Sequence, residues 1–278
     1  MQQNRCLNCG HYFAGKFCNA CGEKVYQEHD KSLTHFFEEG LHFMTHFEGK
    51  FLTTLKTIIS SPGKVSLDYC NGIRKKYFKP FSLFLLLVII YLLFPLTQGL
   101  NMRAEYHQGN SLYGNFAAKK ILQVQQETGL TGEAFEETFH YKGEKVSRLL
   151  LIILIPLTAL WFWLLSYKKR PYYFDQLVFS SEVNSVFLFW GFILSQVLIN
   201  MFRYLFSIHS SRNDESAWVA LFIYIPIVLF TMIASHRFYQ FNKGKAVLFG
   251  LAFLLVHTFI WQFIYKLILF VITIHLIH

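Results

Sequence analysis

Five long apolar runs constrain this 278-residue chain more than any other feature. They cover residues 81–96, 149–167, 183–206, 218–235 and 247–278. A helix needs roughly 17–25 apolar residues to cross the hydrocarbon core of a bilayer. The first four runs approach that length. The fifth is longer and contains Lys266. It either tilts strongly or spans from 247 to about 265 and continues along the far interface. Pro80 opens the first run, where proline suits the first helical turn, and Pro156 and Pro226 lie inside the second and fourth. Hydrophobic residues make up 53% of the chain and charged ones 15%. Soluble domains carry about 25% charged residues, so the bilayer is the natural solvent for most of this chain.

The net charge is +9, and its placement sets an orientation. Arg74, Lys75, Lys76 and Lys79 precede run one; Lys168, Lys169 and Arg170 follow run two; Arg237, Lys243 and Lys245 follow run four. All three groups fall on one side if the N-terminus is cytosolic, as the positive-inside rule requires. The C-terminus is then outside. The opposite connection, an external loop over 97–146, balances its cations with Glu105, Glu127, Glu133, Glu136, Glu137 and Glu144. The polar, Cys-rich N-terminus has no apolar leader segment.

Cys6, Cys9, Cys18 and Cys21 are spaced C-x2-C-x8-C-x2-C, with Gly10 and Gly22 after each pair. Two such knuckles offer four soft thiolates in a tetrahedron, which favours a closed, structural zinc site. Disulfides are disfavoured on the cytosolic side; an iron–sulfur cluster is the other alternative. So short a segment needs metal to fold. Cys70 stands alone as an ordinary small residue near the membrane. Around the ribbon, Arg5, Lys16 and Lys24 are too few to indicate nucleic acid.

Between the ribbon and run one, residues 33–59 place Leu33, Phe36, Phe37, Leu41, Phe43, Met44, Phe47, Phe51, Leu52, Leu55, Ile58 and Ile59 on one half of a helical wheel. This predicts an amphipathic helix lying in the membrane interface, ended by Ser60, Ser61, Pro62 and Gly63. His35, Glu39, His42 and His46 form a polar row along its back, able to hold a metal or sense pH, though such a row is more often a solvated face. Next comes a stretch of alternating aromatics and cations, in which Arg74, Lys75, Lys76 and Lys79 suit anionic lipid headgroups.

Polar residues at membrane depth are sparse: Asn184, Gln196, Asn200, His257, Gln262 and Lys266. Asp175 and Glu182 fall at the cytosolic mouth of run three, where charges are unremarkable. There is no Ser/His/Asp set, no phosphate-binding Gly loop and no pair of intramembrane carboxylates. That argues against an enzyme and against a proton-coupled transporter.

The ribbon pattern CxNCG…FCxxCG, followed by Pro62, Gly63, Val65, Tyr69, Gly72, Arg74, Lys75, Lys76, Tyr77, Pro80 and Phe81 in the order PG-V-x3-Y-x2-G-x-RKKYxxPF, resembles a bacterial membrane family known only as a domain of unknown function. The resemblance covers the first third of the chain and implies a bacterial cytoplasmic (inner) membrane. The five-helix, N-inside plan is more distantly similar to the Yip-type membrane proteins. Neither resemblance supplies a catalytic residue.

The expected fold is therefore an all-α polytopic membrane protein of about five transmembrane helices, with a small N-terminal zinc ribbon and an amphipathic interfacial helix. Its divisions are 1–31 for the ribbon, 32–79 for the interfacial helix and basic segment, and 80–278 for the transmembrane domain. The expected function is that of a binding or scaffold protein whose cytosolic ribbon recruits a protein partner at the membrane. The alternative is a membrane transporter or lipid-handling permease, which Pro156 and Pro226 could serve by breaking helices at mid-membrane.

Overall fold

The structure is a computed structural model, which describes residues 4–25, 50–94, 100–206 and 216–277. The polar row of His35, Glu39, His42 and His46 lies outside the described residues. After a two-stranded ribbon, β1 (Asn4–Arg5) and β2 (Tyr12–Phe13), the described chain is almost wholly helical. Two short helices, α1 (Phe51–Ser60) and α2 (Lys64–Cys70), precede α3 (Pro80–Leu93). Then come α4 (Ala104–Gln108), α5 (Gly114–Thr128) and α6 (Gly132–Ser166). Helix α7 begins as Tyr173–Phe187 and continues through a π-helical stretch, Leu188–Leu194, into Ser195–Phe206. Last are α8 (Ser216–Tyr239) and α9 (Lys243–Ile277), the latter with a π-helical stretch at Ile260–Tyr265.

Among the described residues, four helices are long and apolar enough to cross a membrane, within Gly132–Ser166, Tyr173–Met201, Leu221–Tyr239 and Lys243–Ile277. The first expected run is the shorter α3, 14 residues or about 21 Å at 1.5 Å per residue. The helix of the third expected run begins at Tyr173, well before residue 183, and its polar start is buried by other elements.

Two of the helices are overlong. At 35 residues each, α6 and α9 reach about 52 Å, against a hydrocarbon core of about 30 Å. Residues 247–277 thus form one continuous helix, with no turn along the interface. Its final stretch, Lys266–Ile277, packs against the Gly132–Leu150 part of α6, and α4 and α5 close over the pair. The connection expected as a loop over 97–146 is accordingly helical from Ala104 onwards, with a core of its own. Ala117, Ile121, Phe135, Phe139, Phe270 and Ile274 are buried there. Fully buried His107 sits among the rings of Phe139 and Phe270, and its Nδ1 and the Tyr113 hydroxyl share a 3.0 Å hydrogen bond. Tyr265 ties α9 to α6 by donating to the Ser147 carbonyl at 2.6 Å.

The larger core joins α2, α3, α6, α7, α8 and α9 around fully buried rings, including Phe84, Phe162, Phe179, Phe238 and Tyr265. Phe179 and Phe238 stack at 4.6 Å. Outward faces of the spans carry exposed Leu160, Leu164, Leu229, Ile233, Leu251 and Leu255, the distribution expected where the surroundings are lipid rather than water.

Candidate functional site

Two features stand out on one end of the bundle: a helical hairpin clamped inside it, and a four-cysteine ribbon attached beside the hairpin. In the hairpin, α1 and α2 are joined by Ser61, Pro62 and Gly63, which bring the chain against α8. Gly63 has φ +76°, and a Cβ there would lie 2.5 Å from the Ala234 carbonyl oxygen and 2.8 Å from its Cα. Only glycine satisfies both the left-handed backbone and the close approach. Arg237 holds the same tip, donating from Nη1 to the Pro62 carbonyl at 2.5 Å.

Glu182 fastens the tip to α7. Its Oε1 accepts from the Gly63 N–H at 2.9 Å and its Oε2 from the Ser66 N–H at 2.8 Å; the Ser66 hydroxyl also donates to Oε2. These amides begin α2 and have no partner within that helix, so a carboxylate is the acceptor they call for. Glu182 is fully buried, nine residues or about 14 Å along α7 from Tyr173. The expectation that Glu182 and Asp175 are unremarkable charges at the mouth of a span is therefore corrected. Asp175 is buried as well, and Arg170 donates to it at 3.0 Å. Arg170 also donates from Nε to the Phe238 carbonyl at 3.1 Å, so this pair ties the α6–α7 connection to the end of α8.

The hairpin's base is equally ordered. The Tyr77 hydroxyl donates to Asp68 Oδ2 at 2.7 Å, and Lys64 pairs with Asp68 at 3.2 Å. Burial, and then the Asp68 carboxylate, pushes the Tyr77 phenol well above its ordinary value, which keeps the donor proton in place. Thr54 of α1 accepts from the Phe78 N–H at 2.8 Å. Helix α1, the described end of the amphipathic stretch expected over 33–59, packs its Thr54 and Ile58 side inward and leaves Leu52 and Ile59 exposed; residues 33–49 of that stretch lie outside the described residues. Burial also pushes the Cys70 thiol well above its ordinary range, so this cysteine is an inert packing group.

Of the four cations assigned to lipid headgroups, Lys75 and Lys76 are exposed and Lys79 is half-buried. The Arg74 guanidinium lies 5.0 Å from the Tyr69 ring and 5.6 Å from that of Phe174, a stacking role in the hairpin base.

In the ribbon, the Sγ atoms of Cys6, Cys9, Cys18 and Cys21 all lie within 4.8 Å of one another. Cys6 and Cys21 are 3.5 Å apart, and Cys9 and Cys18 3.6 Å. Thiolates about 2.3 Å from a tetrahedral metal would be about 3.8 Å apart, so the four residues fit a bound ion. Each knuckle closes through a glycine amide: Gly10 donates to the Cys6 carbonyl at 2.9 Å and Gly22 to that of Cys18 at 2.7 Å. Both glycines have positive φ. The ribbon buries little beyond two of its cysteines and Phe13, so a bound ion would be the main source of its folding energy.

Sequence reasoning missed Glu23. This side chain is buried, and its two oxygens accept from the Lys75 N–H at 2.8 Å and the Arg74 N–H at 3.4 Å. The ribbon is thereby fixed to the segment that leads into α3. No local pattern signals such a pairing across about fifty residues, whereas the CxxC spacings are visible without the fold.

Among the polar residues expected at membrane depth, His257 is buried between the rings of Phe187 and Phe253, at 4.4 and 4.9 Å. Lys266 donates to Gln262 on its own helix at 2.5 Å. Asn184 donates to the Ser180 carbonyl at 2.8 Å. None of these contacts joins them into one polar path.

Over residues 48–92 the chain is similar to a protein family of unknown function (DUF3667). No curated protein and no solved structure matches it. The matched segment contains α1, α2 and nearly all of α3, so the similarity centres on the clamped hairpin, and the four cysteines lie outside it.

Proposed function

We propose that this protein is an integral membrane binding protein whose ribbon, organised by one structural zinc ion, recruits a protein partner at the cytosolic face. The observation that carries this reading is the ribbon's surface. Leu7, Tyr12 and Phe17 are 65, 61 and 57% exposed on an element that Glu23 holds against the membrane body. Exposed apolar and aromatic side chains on a rigid support suit protein recognition. Four thiolates on a closed tetrahedron favour zinc and leave no open position for chemistry. Zinc would be held by Cys6, Cys9, Cys18 and Cys21, and its contribution there is shape.

The reading also takes α3 as a fifth span, the N-terminus as cytosolic, and a bacterial cytoplasmic membrane as the location. Lys75 and Lys76 then face the anionic leaflet, where each cation adds about 1 kcal/mol of attraction. The packing of His257 among aromatic rings weighs against a transport path along α9.

The test is co-purification from native membranes with Leu7, Tyr12 and Phe17 all changed to Ser. The variant should keep its metal and elution profile and lose a protein that the unchanged chain retains. If partner recovery is unaltered, the ribbon is not the docking element.

A further inference from the structure

The hairpin fills only part of the space between α3, α7 and α8. On α7 its tip is bound at Glu182, and on α8 it touches Ala234. Along the side of α1 that carries Leu55 and Ile58, and on past the tip away from the ribbon, lies a cavity of about 420 Å³. It is lined by Ile59 of α1, Leu83 and Leu87 of α3, Trp190 of α7, and Pro226 and Phe230 of α8. The α7 part of its wall, from Ser185 to Leu194, starts three residues past Glu182. At 1.5 Å per residue it runs from about 5 to about 18 Å beyond the clamp. Pro226 and Phe230 precede Ala234 on α8, which runs the other way, and so lie on the same side of the tip. A ten-residue α1 reaches about 15 Å, half the hydrocarbon core, and the cavity is what it leaves unfilled.

Both helix irregularities of this region border the cavity: the π-helical Leu188–Leu194 of α7, and Pro226 inside α8. A π-helical insertion widens a helix and recurs at functional sites. The cavity does not suit water. Its one hydroxyl, Ser185, already donates to the Ser181 carbonyl at 2.7 Å, and buried water needs two to four polar partners. It is continuous with the outward face of the spans, since Ile59 and Phe189 line it while 76 and 36% exposed, and exposed Phe222, Ile225 and Leu229 run alongside on α8.

We infer that this groove is a binding site for one acyl chain of a membrane phospholipid, drawn from the leaflet away from the ribbon. The chain completes the span that the hairpin begins and seals the bundle above the clamp. The inference rests on the membrane setting of the four long helices and is independent of the partner-recruitment reading.

The full-length protein in mild detergent, examined by native mass spectrometry, should keep one phospholipid after its other lipids are stripped. Leu87→Phe and Val186→Phe fill the groove and should each lose that lipid, whereas Leu229→Phe, exposed outside it, should keep it. Monodisperse elution shows that the variants fold. A second readout needs no filled variant. In vesicles of a phospholipid brominated near its chain end, the emission lost on Trp190→Phe should be the bromine-quenched share, insensitive to acrylamide. Retention of the lipid by both filled variants, no retained lipid in the unchanged protein, a dimer that the fillers dissociate, or acrylamide quenching of Trp190 would each overturn the assignment.

Discussion

Replacing Glu182 is the sharpest perturbation of the hairpin. In Glu182→Ala, the Gly63 amide, the Ser66 amide and the Ser66 hydroxyl all lose their acceptor inside a fully buried site. An orphaned buried donor costs about 1–3 kcal/mol. The Ser66 hydroxyl can turn to the Val178 carbonyl, already 3.4 Å away, which leaves two orphaned amides and a total of about 3 kcal/mol. Glu182→Gln keeps one acceptor oxygen and sets an NH2 group against a donor, so about half that loss is expected. At about 1.4 kcal/mol per tenfold, the alanine variant should open the hairpin about 100-fold more often. Cys70 reports this opening, because its thiol is 3% exposed on α2. Alkylation of Cys70, followed site by site by peptide mass spectrometry, should accelerate about 100-fold in Glu182→Ala and about tenfold in Glu182→Gln. A rate within threefold of the unchanged protein in Glu182→Ala would refute the clamp.

Gly63→Ala should open the same hairpin at least as far, because it combines a left-handed backbone with a Cβ against the rigid α8 main chain; Cys70 alkylation again reads it. Glu23→Ala should leave the metal content unchanged and raise hydrogen exchange at the Arg74 and Lys75 amides about tenfold or more, since both lose their acceptor. Burial, and then the Lys266 charge, lower His107 to about 4 from 6.5. Below pH 6.5 the unfolded state binds a proton that the folded state refuses, so stability is present above that pH and is lost as the pH falls towards about 4. The loss should approach about 3 kcal/mol. Exchange over α4, α5 and the Gly132–Leu150 part of α6 should rise through that window, and His107→Gln should flatten the dependence. Any single Cys→Ser change at Cys6, Cys9, Cys18 or Cys21 should abolish metal binding while the protein still inserts into membranes, as metal analysis and carbonate extraction would show.

What could be read without the fold was local or periodic. The four cysteines declare themselves by spacing alone, and the long apolar helices by hydropathy. The clamp could not be read, because Glu182 and Ser66 are 116 residues apart and a hydropathy window penalises the acidic start of α7 without seeing its partners. Pro62 and Gly63 look like a helix terminator. Their role as the tip of a clamped hairpin depends on Ala234, far along the chain. The helices within 97–146 were partly legible in hindsight. Ala117, Ile121 and Val124 recur at helical spacing, as do Phe135 and Phe139. What hid them was their partner, the end of an α9 that looked wholly membranous.

The claim that the ribbon is a metal-organised docking face is tested most directly in the native membrane. A photo-crosslinking residue replaces Phe17, 57% exposed on the ribbon, and a control replaces Leu122, 59% exposed on α5. Irradiation should yield a discrete protein adduct at position 17 that is absent at position 122, and prior zinc chelation should abolish it. An adduct that survives chelation, or none at position 17 while the zinc is fully bound, would contradict the claim.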